Sequence, residues 1–126
     1  MKTVTYSPLA LARLEEIYRF SLENWGEARA DTYYDGLIAR IEALAAGELP
    51  RARSCVVLFR DEPDEEEMAG LSYYHEGSHY LILRERANEL EVAGIILQGR
   101  DLERHIRDLS NRYRSRERDD DRGLER

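Results

Sequence analysis

Two histidines and a glutamate near residue 77 match the pattern of a zinc hydrolase. His75, Glu76 and His79 satisfy H-E-x-x-H, in which two imidazoles bind one metal ion and the glutamate activates the metal-bound water. This chemistry requires a helix, because only a helix places residues four positions apart on one face. Gly77 and Ser78 fill the centre of the motif and favour a turn. The sequence therefore predicts a β-hairpin at this point and no metal site.

The segments on both sides of that turn favour strands of an antiparallel meander. Three runs are rich in β-branched and aromatic residues, namely Leu71 to His75, His79 to Arg86 and Leu90 to Leu97. Cys55 to Phe59 is a further strand candidate of uncertain form. After the meander, the spacing predicts a helix from Asp101 to Tyr113.

Two helices are expected before the meander, after a short strand from Lys2 to Tyr6. Ser7 is a good N-cap and Pro8 suits the first helical position, where its missing N–H costs nothing. The first helix ends at Gly26, and a second is predicted from Glu27 to Ala46. Helices joined so tightly are antiparallel neighbours. The predicted fold class is α+β, a helical hairpin packed on a small antiparallel sheet in the order β-α-α-β-β-β-α.

Composition predicts one domain in a reducing compartment. The chain has 126 residues and a single cysteine, Cys55, which has no partner for an internal disulfide. It shows no export leader and no apolar run long enough to cross a membrane, so a cytoplasmic location without membrane contact is expected.

The formal net charge of −7 is concentrated in one place. Asp61 to Glu67 holds six carboxylates in seven positions, and apart from this run the chain is nearly balanced in charge. Because like charges at this density repel, we expect a solvated, mobile loop. The alternative is that the run mimics phosphate or docks on an arginine-rich partner.

The order and spacing of these motifs resemble the ParE/RelE superfamily, the small toxins of bacterial type II toxin–antitoxin modules. The resemblance is carried by Val4 to Ala10 with its Ser-Pro helix start, by the helical stripes through Trp25-Gly26 and Leu44, and by Gly77 to Leu83 and Ile95 to Leu102. It implies a toxin domain over residues 1–113 with an acidic insert near residues 51–70. The remainder, residues 114–126, is expected to be a charged, flexible tail.

RelE-type relatives cleave messenger RNA on the ribosome, which requires ionisable groups around the reacting phosphate. In the family, the last strand commonly carries an arginine and often a histidine just before Gly-Arg. This chain has Ile95 and Gln98 at those places, and neither side chain ionises. Arg84, Arg86, Arg100, Tyr80 and His105 remain as candidates. However, strand alternation places Arg84 and Arg86 on the solvent face and Arg100 lies on an exposed helix, so the arginines are accounted for without any catalytic role. No catalytic residue and no cofactor are predicted.

The resemblance to ParE-type members implies a protein inhibitor of DNA gyrase, with the gyrase A subunit as target and a ParD-like antitoxin as second partner. Antitoxins of this class wrap a segment that folds on binding over the helical hairpin. The predicted partner-binding residues are Leu9, Phe20, Leu22, Tyr80, Arg84, Arg86, Arg100 and Arg104. Direct binding of nucleic acid is not expected. Two alternatives remain open, a ribosome-dependent endoribonuclease and a relative that binds partners without toxicity.

Overall fold

The structure is a computed structural model that describes the backbone of residues 1–124 and the side chains of residues 1–117. Its helices are α1 (Pro8–Trp25), α2 (Glu27–Ala45) and α3 (Leu102–Leu124), with a short 3₁₀ helix at Cys55–Leu58. Its strands are β1 (Thr3–Tyr6), β2 (Arg53–Ser54), β3 (Leu71–Glu76), β4 (His79–Glu85) and β5 (Glu89–Leu97). In this part of the chain, none of the helices combines the length and hydropathy needed to span a membrane.

Local sequence signals set the helical hairpin as predicted. The Ser7 hydroxyl accepts a hydrogen bond from the Ala10 N–H at 3.0 Å, which caps α1 ahead of Pro8. The same hydroxyl donates to the Ala93 carbonyl at 2.7 Å and so ties the start of α1 to β5. Gly26 has φ +87°, a conformation that favours glycine, and this single residue ends α1 and starts α2.

The five strands form one sheet in the order β1-β5-β4-β3-β2, and the α+β class is confirmed. The meander from β3 to β5 is antiparallel, as predicted. The sheet as a whole is mixed, because β1 pairs with β5 in parallel, with Thr3 opposite Glu89. A parallel pair requires a long crossover connection, and the helices and the meander between β1 and β5 supply it.

The helical hairpin covers one face of the sheet, and α3 with the segment that precedes β3 covers the other. The first core contains Leu14, Leu37, Ile41, Leu81 and Leu83. The second contains Cys55, Phe59, Met68, Ile82 and Ile106. Both faces of the central strands are therefore buried.

The acidic segment, residues 59–68, is anchored to the protein at both ends, while the six carboxylates of Asp61 to Glu67 are exposed to solvent as expected. Its apolar residues Phe59 and Met68 are 3% and 1% exposed. Asp61 forms an ion pair with Arg107 of α3 at 2.9 Å. The strand candidate from Cys55 to Phe59 is instead a 3₁₀ helix, capped by the Ser54 hydroxyl. Burial of the apolar residues between the sheet and α3 offsets the repulsion of carboxylates that face water.

Helix α3 is longer than the sequence predicts. We expected an end near Tyr113, but the helix continues to Leu124. Residues 114–122 contain no glycine or proline and are rich in arginine, which has high helix propensity. The predicted flexibility of residues 114–126 stays a prediction, and residues 125 and 126 lie outside the described part of the chain.

Gly94 sits where β5 and α3 approach closely. A Cβ at this position would lie 2.9 Å from Cδ1 of Leu109, whose side chain is buried. We expect Gly94→Ala to lower the free energy of unfolding by about 1–2 kcal/mol, because overpacking exceeds the gain from a stiffer unfolded chain. Urea denaturation measures the change.

Gly36 provides the matched control, since it lies within α2 and a Cβ there would meet no atom within 4 Å. Gly36→Ala is expected to raise stability by about 0.5–1 kcal/mol, as alanine is the better helix former. Equal effects from the two substitutions would show that α3 does not pack on β5 at Gly94.

Candidate partner-binding groove

A groove of about 530 Å³ lies between the second half of α1 and the ends of β4 and β5. Three large apolar side chains line it and remain open to solvent. Phe20 is 59% exposed, Trp25 is 45% exposed and Leu97 is 39% exposed. Its remaining lining residues are Arg13, Glu16, Ile17, Ser21, Tyr33, Ser78, His79, Ile95 and Arg100. Exposed apolar groups gathered in one concave surface are typical of a binding site.

The aromatic wall of the groove is built by the α1–Gly26–α2 junction. Phe20 and Trp25 meet edge to face, with ring centroids 5.9 Å apart. Because the chain reverses at Gly26, Tyr33 of α2 lies behind Trp25, at 6.4 Å between centroids. The Arg29 guanidinium lies 5.6 Å from the Trp25 ring centroid, a cation–π contact that holds the indole from the side.

Tyr33 also connects the hairpin to the β3–β4 turn. Its hydroxyl lies 2.6 Å from Nδ1 of His79. Burial raises the pKa of Tyr33, whereas hydrogen bonds from the backbone and side chain of Ser78 lower it. Gly77 has φ +57°, and a Cβ there would lie 3.3 Å from the Tyr33 hydroxyl, so glycine both forms the turn and admits this contact.

The contact between Tyr33 and His79 indicates where the imidazole proton lies. A phenol O–H is a good donor, and an unprotonated imidazole nitrogen is a better acceptor than a phenol oxygen. We therefore assign the Tyr33 hydroxyl as donor to Nδ1 of His79, at 2.6 Å. A neutral imidazole that accepts at Nδ1 carries its proton on Nε2.

The two arginines of the groove differ in their ionic contacts. Arg13 pairs with Glu16 at 2.9 Å. Arg100 is exposed, and within the part of the chain that the structure describes its side chain makes neither an ion pair nor a hydrogen bond. The arrangement therefore suits an apolar group accompanied by a negative charge.

His79 makes stability depend on pH. Burial, and then the nearby charge of Arg13, hold the pKa of His79 below its usual value of 6.5. As pH falls below this value, the unfolded chain takes up the proton before the folded chain does, so the free energy of unfolding decreases. We expect denaturation midpoints to fall between pH 7 and pH 5, and His79→Asn to remove that part of the fall. An unchanged pH profile in the variant would contradict the assignment.

The three predicted apolar contacts are exposed, but they lie on different surfaces around α1. Phe20 lines the groove described above. Leu22, 41% exposed, lines a second groove of about 650 Å³ between the outer sides of α1 and α2. Leu9, also 41% exposed, lines a third of about 400 Å³ between the start of α1 and α3.

The predicted polar contacts do not gather at one place either. Arg100 lies in the groove with Phe20, whereas Arg86 is exposed beyond the end of β4 and Arg104 is exposed on α3. Tyr80 lies on the other face of the sheet, where it stacks on His75 with ring centroids 4.5 Å apart.

The expectation that Arg84 faces solvent is wrong. Its side chain is only 13% exposed. It donates to the Ala69 carbonyl at 3.2 Å, pairs with Glu117 and lies 4.6 Å from the Tyr113 ring centroid. Strand alternation assigns Arg84 to the correct face, but α3 covers that face, so this arginine joins α3, β4 and the acidic segment.

The zinc-hydrolase motif does not form a metal site. His75 lies opposite Tyr80 in the β3–β4 pair, so these two side chains point to the same face of the sheet. His79 is adjacent to Tyr80 in β4 and therefore points to the other face. Among the described residues there is no cluster of three or more His, Cys, Asp or Glu side chains fit to hold a metal ion.

Ile95 and Gln98 stand at the two positions where the family commonly has an arginine and often a histidine, and both make structural contacts here. Ile95 is 2% exposed and forms part of the groove floor. The Gln98 side chain is exposed and lies 3.1 Å from Nε2 of His75 through its carbonyl oxygen.

Sequence reasoning missed several residues of the groove, namely Arg13, Trp25, Tyr33 and His79. Trp25 and Tyr33 fall on the apolar stripes of their helices, and this pattern indicates burial. It does not reveal that the Trp25 side chain is 45% exposed. The weak signal available was the Trp25-Gly26 helix end, which leaves a large aromatic side chain where packing stops.

The helical hairpin on a five-stranded mixed sheet is the RelE/ParE-like arrangement of small toxins. A solved structure of the chromosomal ParDE TA system from P. aeruginosa is similar, with a TM-score of 0.56 and 16% identity, over 78% of this chain and 97% of that chain. The family model described as the ParE toxin of the type II toxin-antitoxin system, parDE, matches residues 4–102. The chain belongs to this ParE toxin family. No curated protein sequence matches it.

Proposed function

We propose that this ParE-family toxin inhibits DNA gyrase and that a cognate ParD-type antitoxin neutralises it. The observation that carries the proposal is the ParE toxin match over residues 4–102, which includes the hairpin and all of the sheet except Thr3. The similar structure is that of a ParDE toxin–antitoxin system, which supports an antitoxin partner. Both proposed partners are cytoplasmic, so we place the toxin there as well.

The proposed mechanism is surface complementarity, without a chemical step performed by the toxin. Ile95 and Gln98 support this reading, because neither side chain transfers a proton to or from a reacting phosphate group. We assign gyrase contact to β5 and α3, with Arg104 on the exposed side of α3. The gyrase A subunit would be held in its complex with cleaved DNA, which blocks replication.

We assign antitoxin contact to the surfaces on both sides of α1. Phe20 and Leu22 lie two residues apart but line different grooves, so an amphipathic segment that covers both must pass over the helix. Such a segment buries a large apolar area, which is how a chain that is disordered when free gains affinity.

Labelled precursors distinguish the proposed target from the ribosome. After induction of the toxin in its own host, we expect thymidine incorporation to stop before methionine incorporation, and co-expression of the adjacent antitoxin to restore both. Early loss of methionine incorporation with cleaved messenger RNA would instead indicate an endoribonuclease. Normal growth without antitoxin would indicate a relative that binds partners without toxicity.

A further inference from the structure

The groove between α1 and the ends of β4 and β5 offers hydrogen-bond donors that no described residue engages. With the Tyr33 hydroxyl assigned as donor to Nδ1 of His79, the imidazole proton is on Nε2. The Arg100 guanidinium is likewise without a partner among the residues whose side chains the structure describes. An occupant that satisfies both groups must supply an acceptor, and a negative charge is favoured beside Arg100.

Apolar surface lies directly beside these donors. Phe20, Trp25 and Leu97 are exposed around the groove, and Ile17 and Ile95 line it more deeply. A volume of about 530 Å³ accommodates a large apolar side chain together with the polypeptide next to it. The occupant therefore combines an apolar anchor with an adjacent oxyanion.

We infer that this groove receives one segment of the antitoxin in which an apolar side chain stands next to an Asp or Glu carboxylate. The apolar side chain packs against Phe20 and Trp25, and the carboxylate accepts hydrogen bonds from Nε2 of His79 and from Arg100. The inference rests on the proposed function, because it concerns the antitoxin partner.

The charges around the groove support a carboxylate there and indicate that this contact contributes to specificity. The net charge of −7 lies mostly in Asp61 to Glu67 and the rest of the chain is nearly balanced, so the surface as a whole does not attract an acidic segment. Arg100 provides a local exception, next to Arg13, whose charge is balanced by Glu16. An antitoxin without the carboxylate would leave the two donors unmatched, which discriminates against it.

Arg100→Gln tests the carboxylate contact, and Arg60→Gln is its control. Both arginines are exposed and both substitutions remove one positive charge, but only Arg100 lines the groove. We expect Arg100→Gln to weaken binding of the cognate antitoxin about tenfold and Arg60→Gln to change affinity by less than about twofold. Trp25, the only tryptophan of the toxin, lies in the groove and reports binding by its fluorescence when the antitoxin contains no tryptophan.

His79→Asn tests the second donor without removing the contact to Tyr33. The asparagine carbonyl occupies the place of Nδ1 and accepts from the tyrosine hydroxyl, while the Nε2 donor is lost. We expect affinity to fall about fivefold to tenfold with little change in the melting temperature at pH 7.5. A large loss of stability would be separated from loss of binding by measuring affinity well below the melting temperature.

The acidic residue of the antitoxin is located by neutralising each of its Asp and Glu residues in turn. For one of them, the effect of Arg100→Gln is expected to disappear. Unchanged affinity of both toxin variants, or equal weakening by Arg60→Gln, would overturn the inference while leaving the toxin–antitoxin complex intact. If a second copy of this chain occupies the groove, Arg100→Gln will change the sedimentation of the free toxin and not its affinity for antitoxin, which also overturns it. Failure of the wild-type proteins to associate would refute the antitoxin proposal itself.

Discussion

Replacing Met68 with alanine should lower the free energy of unfolding by about 2–4 kcal/mol, the usual result of truncating a buried methionine. Met68 follows directly after four acidic residues, yet its side chain is 1% exposed. It packs in the second core with Phe59, Leu71 and Ile106. The acidic segment is therefore part of the folded domain, and urea denaturation of Met68→Ala measures its contribution.

Glu66→Ala is the control for this prediction, because Glu66 lies two residues away and its side chain is exposed. Its effect is expected to stay within about 0.5 kcal/mol. If Met68→Ala is as mild as Glu66→Ala, the segment does not pack under α3.

Replacing Phe20 with aspartate should weaken antitoxin binding about 30-fold or more, the range of an aromatic hot spot at an interface. Phe20 is 59% exposed in the free toxin, so the substitution costs the fold little. In the complex, it removes an apolar contact beside Trp25 and introduces a charge where an apolar side chain must pack. Isothermal titration with the cognate antitoxin measures the change.

Val57→Asp is the matched control, since Val57 is 64% exposed but lies in the 3₁₀ helix, away from α1. We expect it to leave the affinity unchanged. Leu9→Asp and Leu22→Asp then show how far the antitoxin extends, because each residue lines its own groove. Unchanged affinity in all three α1 variants would place the antitoxin elsewhere on the toxin.

Local signals in the sequence predicted the helical hairpin and the meander. Ser7 with Pro8 set the start of α1, and Gly26 and Gly77 occupy positive φ at the two tightest reversals. Each signal acts within a few residues, so it is readable without tertiary information. The parallel pairing of β1 with β5 lacked such a signal, since Thr3 and Glu89 are distant in sequence.

The burial of Phe59 and Met68, on either side of the acidic run, was also not predictable from the sequence. Phe59 and Met68 are separated by charged residues without helical or strand periodicity, so composition favoured a solvated loop. Their burial depends on the space between the sheet and α3, which only the tertiary structure defines. The same helix covers Arg84, which was expected to face solvent, so that its side chain is only 13% exposed.

The candidate groove was predictable in part. Phe20 and Arg100 were predicted as partner contacts, and the structure places both in the groove, with the Phe20 side chain exposed. The hydrogen bond between Tyr33 and His79 was not predictable, because it joins residues from the second helix and the β3–β4 turn. A contact of this kind depends on how the helical hairpin packs against the sheet.

Gyrase supercoiling with the purified toxin tests the proposed function most directly. Gyrase from the toxin's own host is assayed with relaxed plasmid, alone, with toxin, and with toxin preincubated with its antitoxin. We predict loss of supercoiling with accumulation of cleaved DNA, and recovery when the antitoxin is present. Full supercoiling activity at toxin concentrations that arrest growth would contradict gyrase as the target.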